Sequence, residues 1–461
     1  MKTIEFINQH ILWGVPMLIV MLGTGLHMTA ATKGMIFRRF GTVIKYTAGT
    51  IFSRDKASRS GSITPFQAVS TALAATVGTG NIAGVSAAIA VGGPGAVFWM
   101  WIPALLGMVT KYCEVTLAVA YRSRNKQGET VGGAMYYIAN GLGRKNLAIF
   151  FSVCGCICAL GIGNMVQVNS LTNAVNSAFG ANSAIVGIIT ALLAAVVLSG
   201  GIKRIASSTE ILVPFMAAFY IMGTAIVLCI NADKIPEAFA LIFKCAFTDT
   251  AARGGFAGAS VMLAMRIGTA RGVFTNEAGL GSAPTAHSAA DTDHPSRQGL
   301  WGAFEVFLDT LVMCTLTALA ILTSGVWTLD GLAETEFTQA AFAKSFNGGG
   351  YMVTICLIVF AFETIIAWYY YGEKFLEFIT GGRFKKLYLA VYLLVIIAGS
   401  VAPVSAVWEL ADMVNGLMAL PNLLALNLLA PTVSRMTEDF FATPNEKMQW
   451  SKPVPLYYKS D

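Results

Sequence analysis

Two short strings combine glycine, hydroxyl and amide groups inside long apolar runs. Val77-Gly78-Thr79-Gly80-Asn81 lies within the run from Phe66 to Val91, and Ile267-Gly268-Thr269-Ala270-Arg271-Gly272-Val273 within a run over 255–287. Glycines at such depth predict broken helices, and a break frees N–H and C=O groups that hydrocarbon cannot satisfy. The chemistry on offer is the binding of ions and zwitterions. Successive N–H groups of Gly78, Thr79 and Gly80 can face one anionic group, because glycine has no Cβ to hold the backbone away. Asn81 adds an oxygen for a cation; close helix packing through small residues is the competing reading. In the second string Thr269 offers a hydroxyl and a carbonyl to a cation, and Phe274 can cover the apolar end of a solute. Arg271 is costly at this depth and requires a partner. Glu277 is one candidate, either as part of an inner gate or as a structural ion pair.

Three other runs contribute. Asn164 and Gln167 share a helix face one turn apart, as pocket lining or as interhelical hydrogen bonding. Glu305 and Asp309 also share a face, and Asp309-Thr310 falls mid-run, where a hard oxygen donor suits sodium. Glu363 and Thr364 follow in Phe360-Ala361-Phe362-Glu363-Thr364-Ile365-Ile366-Ala367-Trp368. There a carboxylate can ligate a cation, carry a proton, or pair with a polar group of another helix. Trp368, one turn on, can close the apolar side of a pocket and restrict it to small side chains; core packing is the alternative.

The elements that must carry these residues follow from composition. With 55% hydrophobic and 12% charged residues, against about 25% charged in soluble domains, the chain is expected to be an all-α polytopic membrane protein. Runs near the spanning length fall at 11–31, 65–91, 95–118, 147–179, 183–200, 208–230, 255–287, 298–323, 350–371, 387–402 and 405–430, which predicts eleven transmembrane helices. With an external N-terminus, 23 of the 31 lysines and arginines fall in internal loops or the tail, and only Lys2, Lys234, Lys244 and Lys344 fall outside. This bias orients the chain. One helix then precedes two groups of five, and because five is odd the second group enters from the opposite side, a 5+5 inverted repeat with a discontinuous helix opening each half. Residues 1–60 are the first helix and a basic segment, 61–230 the first repeat, 231–430 the second, and 431–461 a cytoplasmic tail. Between Thr32 and Arg59 apolar residues alternate with cations, as in an amphipathic helix on the cytoplasmic leaflet or a solvated linker.

The strings from Phe66 to Gly84, the Gly92-Gly93-Pro94-Gly95-Ala96 turn and Arg271-Gly272-Val273-Phe274-Thr275-Asn276-Glu277-Ala278-Gly279-Leu280-Gly281-Ser282-Ala283-Pro284 closely resemble the alanine or glycine:cation symporter family, over most of the chain. That family is similar in fold to the bacterial leucine transporter and couples sodium, sometimes protons, to uptake of small neutral amino acids. The resemblance implies that Gly78, Thr79 and Gly80 bind the solute carboxylate, and that Asn81 ligates a sodium. Gln167, Thr269, Phe274 and Trp368 complete the solute site. Ala74, Val77, Asn81, Thr269, Asp309, Glu363 and Thr364 form the sodium set. Glu363 departs from the family pattern, since serine or threonine is expected ahead of Thr364, and this leaves the coupling ion open between sodium and a proton. A bacterial-type plasma membrane location, a monomeric functional unit and no organic cofactor are also implied.

Other classes fit less well. There is no basic stripe with interleaved aromatics for nucleic acid, and no continuous polar pore for a channel. The four histidines form no catalytic constellation, and Cys154, Cys156 and Cys158 point to different helix faces, as packing residues do. No cleavable signal is expected ahead of the first run. A non-transporting amino-acid sensor on the same fold remains an alternative.

Overall fold

A computed structural model describes residues 6–51, 62–250, 258–329, 332, 336–402 and 405–442. The larger helices are α1 (Val15–Ala31), α2 (Pro65–Thr76), α3 (Gly80–Gly92), α4 (Gly95–Ala120), α5 (Lys145–Phe179), α6 (Ser183–Leu198), α7 (Gly201–Ile230), α8 (Ile235–Phe247), α9 (Val261–Asn276), α10 (Pro295–Ser324), α11 (Phe337–Ser345), α12 (Gly349–Thr380), α13 (Lys385–Val401) and α14 (Ser405–Ala442). Among the described residues seven helices are long and apolar enough to cross a membrane, or eight when α2 and α3 count as one bent span. The side chains that α6 leaves uncovered, Ile185, Ile188, Ile189, Leu192, Leu193 and Val196, suit lipid rather than water.

Local chemistry sets the ends that matter. Thr64 caps α2 in a reciprocal box with Gln67, with Pro65 in the first turn, so the helix starts at a defined residue. It stops at Thr76, where Val77 turns to extended backbone. The chain resumes at Gly80 with its axis bent by 49°. The first break therefore falls at the glycine string.

The second break does not. α9 runs as continuous helix through Gly268, Thr269, Arg271 and Gly272, and ends only at Asn276. The unwound stretch is Glu277–Ala283, where Glu277, Gly279 and Gly281 all take positive φ. The reason is packing. A Cβ on Gly272 would come within 3.0 Å of both the Met100 carbonyl and the Pro103 ring, and one on Gly268 would meet the Ala96 backbone. These glycines let α9 lie close against α4 and do not unwind it.

Three further differences concern extent. α8 and α11 occupy stretches expected as loops, being too short to register as spans. Aromatic contacts of Phe243 and Phe247 with Phe98, and of Phe247 with Trp99, hold α8 on α4. α14 continues to Ala442 with Val433, Met436 and Phe440 buried, so 431–442 belongs to a helix; the tail beyond lies outside the described residues. The basic segment forms short helices at Met35–Arg38 and Phe40–Tyr46. Phe40 meets Phe307 edge to face and Tyr46 meets Phe440 likewise, so this segment leans on α10 and α14; residues 52–61 lie outside the described residues.

The helices sort into two packed groups. α4 lies along α9 and the first half of α10, while α5 lies along α12 and α14, and α6 pairs with α13. α1 bridges the groups by touching α4 and α14.

Candidate functional site

A cavity lies between the two groups. Its walls are Ala75, Thr76, Gly78, Thr79 and Gly80 from the first break, Phe274, Thr275, Glu277 and Leu280 around the second, and Ile162, Gln167, Thr364, Trp368 and Asn415 from the facing helices. Of the solute residues expected from sequence, Gly78, Thr79, Gly80, Gln167, Phe274 and Trp368 are among them, and Asn81 lies directly behind.

The glycines keep the walls close. A Cβ on Gly78 would stand 2.9 Å from the Thr364 hydroxyl, and one on Gly80 2.8 Å from the Thr275 methyl. A Cβ on Gly163 would run into the Trp368 side chain. Trp368 is itself buried, so the indole is held as a rigid wall. Thr79 Oγ1 donates to Gln167 Oε1 at 3.2 Å, and Gln167 Nε2 donates to the Ile162 carbonyl at 3.1 Å. Asn415 Oδ1 is buried and has no hydrogen-bond partner.

Two expectations change at the first break. The Gly78 N–H is taken by Asn81 Oδ1 at 2.9 Å, which leaves Thr79 and Gly80 as the peptides to face a solute. The amide of Asn81 in turn donates to Asp309 Oδ1 at 2.7 Å and to the Asp309 carbonyl at 3.1 Å. Asp309 Oδ2 accepts from Thr310 Oγ1 at 2.7 Å.

The residues expected to hold cations therefore fall into two groups. Asn81, Asp309 and Thr310 make one. Ala74 and Thr364 make the other, with Val77 three residues on from Ala74 and Glu363 adjacent to Thr364 in sequence. Thr364 Oγ1 lies 2.9 Å from both the Ala74 and the Phe360 carbonyls, and one hydroxyl hydrogen cannot fully serve both, so oxygen lone pairs outnumber donors. That surplus fits a hard cation. Glu363 is buried and its Oε1 has no hydrogen-bond partner.

Thr269 belongs to neither group. Its hydroxyl faces the Trp99 carbonyl at 3.5 Å, on the α4 side of α9, because the helix is unbroken there. The expected pair of Arg271 with Glu277 does not form either. Glu277 accepts from Ser282 Oγ at 2.5 Å within the turn, and the charge of Arg271 acts on Asp412 of α14. Asn164 follows its alternative reading, since its amide donates to the Tyr392 carbonyl at 2.8 Å.

Sequence reasoning missed a buried polar layer that joins α4 to α10. Lys111 Nζ lies 3.4 Å from Glu305 Oε1, Glu305 Oε2 lies 2.9 Å from His287, and Gln298 Nε2 lies 2.9 Å from the other ring nitrogen. All four residues are fully buried. The available signal was a lysine and a glutamate inside apolar runs, where charge requires a partner.

Comparison with known proteins gives the family and the fold. The family described as the sodium:alanine symporter family matches residues 1–453. A sodium/alanine symporter, AgcS, of Methanococcus maripaludis is 44% identical over 447 residues, covering 95% of this chain and 97% of that protein. A probable sodium/glutamine symporter, GlnT, of Bacillus subtilis is 37% identical, covering 100% and 94%. Among solved structures, MhsT in complex with L-phenylalanine superposes with a TM-score of 0.57 at 14% identity, over 84% of this chain and 99% of that one. That likeness concerns the fold.

Proposed function

We propose that the chain, which belongs to the sodium:alanine symporter family, imports a small neutral amino acid together with sodium by alternating access. The observation that carries this reading is the cavity shared by both breaks and by α5, α12 and α14, lined by charged and neutral polar groups together with Phe274, Leu280, Ile162 and Trp368. Such a lining suits a zwitterion with a short apolar side chain.

In this reading the peptides of Thr79 and Gly80, at the start of α3, face the solute carboxylate, where a helix N-terminus favours negative charge. The unpartnered Asn415 Oδ1 accepts from the solute ammonium. Trp368, backed by Gly163, sets the length limit. One sodium is held by the Ala74 and Val77 carbonyls and the Thr364 hydroxyl, joining α2 to α12. A second cation draws on Asn81 and Asp309. The chain crosses a bacterial-type plasma membrane eleven times as one helix followed by two inverted groups of five, with its N-terminus outside and C-terminus cytoplasmic; α6, α9 and α13 are the short crossings. With both ligands seated, the group around α4 rocks against the group around α5. The inward sodium gradient and the membrane potential, worth about 2.3 kcal/mol per charge per 100 mV, drive accumulation. The functional unit is one chain, with no organic cofactor.

Two features support a second reading. A relative is a probable sodium/glutamine symporter, and Glu363 places an unpartnered carboxyl beside Thr364, so a glutamine-preferring or proton-coupled symporter of the same fold is the alternative. Uptake of labelled alanine, glycine and glutamine by proteoliposomes, under sodium and proton gradients imposed separately, decides between them. Alanine or glycine accumulation driven by sodium is expected. Tight binding with no accumulation under either gradient would instead mark a sensor.

A further inference from the structure

The unwound stretch Glu277–Ala283 needs something to hold it, since it makes no helical ladder of its own. The peptide of Gly279 is gripped from both sides. Its N–H donates to Glu114 Oε1 of α4 at 3.1 Å, and its carbonyl accepts from Asn422 Nδ2 of α14 at 2.9 Å. The same Asn422 amide donates to Glu114 Oε1 at 2.5 Å, closing a ring of carboxylate, peptide and carboxamide. Asn422 Oδ1 accepts from the Tyr137 hydroxyl. Glu114, Asn422 and Tyr137 are fully buried. Gly279 has φ +90, and a Cβ there would approach Leu423 at 3.1 Å, so the clamp is built on a conformation that only glycine adopts freely.

Position gives the clamp a consequence. Glu277 and Leu280, which flank Gly279, line the cavity. Glu114 lies on α4, in one packed group of helices, and Asn422 on α14, in the other. We propose that Glu114 and Asn422 are positioning residues that hold the cavity floor shut, and that inward opening requires Asn422 to leave Glu114 and Gly279. While the ring is closed, Gly279 cannot move with α4 away from α14 without stranding its carbonyl and two amide hydrogens of Asn422 and taking one of two donors from the buried Glu114 carboxylate. Leaving buried polar groups unmade is costly, so the floor opens only when the solute and cations bound above it make the rearranged state worthwhile. This rests on the symporter reading of the cavity.

The test reads the floor directly and without transport. Leu280→Cys is introduced into full-length protein whose eight cysteines are replaced, and a membrane-impermeant thiol reagent is applied to right-side-out or inverted vesicles. Asn422→Ala is expected to speed labelling from the cytoplasmic face ~10-fold, the factor for losing a hydrogen bond to a charged group, with no change from the outer face. Asn422→Asp, which keeps the volume but loses both donated bonds, should act in the same direction. Glu114→Gln retains an oxygen for both donors but not the charge, and should label at a rate between the parent and Asn422→Ala. Tyr137→Phe, a milder change, frees Asn422 Oδ1 and should give a smaller increase, so a readable variant remains if truncating Asn422 prevents folding. Equal rates in the Asn422 variants and Tyr137→Phe, or faster labelling from both faces, would overturn the clamp. Absent uptake with intact inward labelling control would overturn the symporter reading instead.

Discussion

Asn81 shows how one side chain can tie a helix break to its surroundings. Its oxygen holds the Gly78 N–H and its amide holds Asp309, so Asn81→Ala strands a buried donor and a buried carboxylate together. The loss expected is roughly 1–3 kcal/mol per unmade group, and because Gly78 lines the cavity it falls on binding. Uptake in proteoliposomes should drop at least ~10-fold, while the fraction inserted in membranes stays parental; a parental rate would place the solute elsewhere. Gly163 makes the complementary case by shape. An alanine there presses on Trp368, driving the indole into the cavity. Gly163→Ala should therefore weaken alanine uptake and abolish that of larger solutes. Trp368→Phe in the same chain should restore part of it, which competition uptake across a series of side-chain lengths would read. The polar residues of the first break were legible because amide and hydroxyl groups inside an apolar run have few other uses. Thr269 misled because its spacing in Gly-Thr-Ala-Arg-Gly says nothing about which face of an intact helix it takes.

At the scale of elements, the two strings share a pair of glycines and a threonine and have opposite outcomes. Gly78 and Gly80 sit where α2 has already stopped, whereas Gly268 and Gly272 lie inside α9 and give their space to α4. Sequence carries the demand for a small residue, but not whether the space is used by a solute or by a neighbouring helix. The actual second break reads plainly in hindsight, since Glu277, Gly279 and Gly281 take positive φ within a few residues. Substitutions separate the two uses. Gly268→Ala places a methyl against the Ala96 carbonyl and the Trp99 side chain and should destabilise the solubilised protein by about 1–3 kcal/mol, as overpacking does. Gly41→Ala lies in the helix Phe40–Tyr46 with nothing within 4 Å of the added carbon, and should be neutral or stabilising by up to ~1 kcal/mol. Thermal unfolding in detergent, followed by loss of monodisperse protein, gives both signs; equal effects would mean that the α4–α9 contact is looser than its geometry.

Across the whole molecule, the two packed groups meet again on the cation-rich face, where the hairpin Ser123–Arg124/Thr130–Val131 leaves α4 and lies against the ends of α12 and α13. Asn125 donates to Glu129 and to Glu377 at 2.8 Å each. Lys374 lies 3.3 Å from Glu129 and 2.8 Å from Glu377, and Lys385 3.1 Å from Glu377. Burial alone would raise the Glu129 carboxyl, but Lys374, the Asn125 amide and Lys385 outweigh it and hold it below the usual carboxylate value of 4.5. A carboxyl depressed in the folded state contributes stability that is present above its unfolded value and lost as pH falls through its folded one. Glu129 is more than a third exposed, so salt screens part of the effect. The unfolding temperature of the parent should therefore fall more steeply than that of Glu129→Gln as pH drops below 4.5, and added salt should narrow the gap between them. The sign discriminates between two ways the hairpin could be seated. Were it held by backbone and apolar contacts alone, the two proteins would lose stability in parallel, and the connection from α4 to α12 would carry no charge-dependent load when the groups rock against each other.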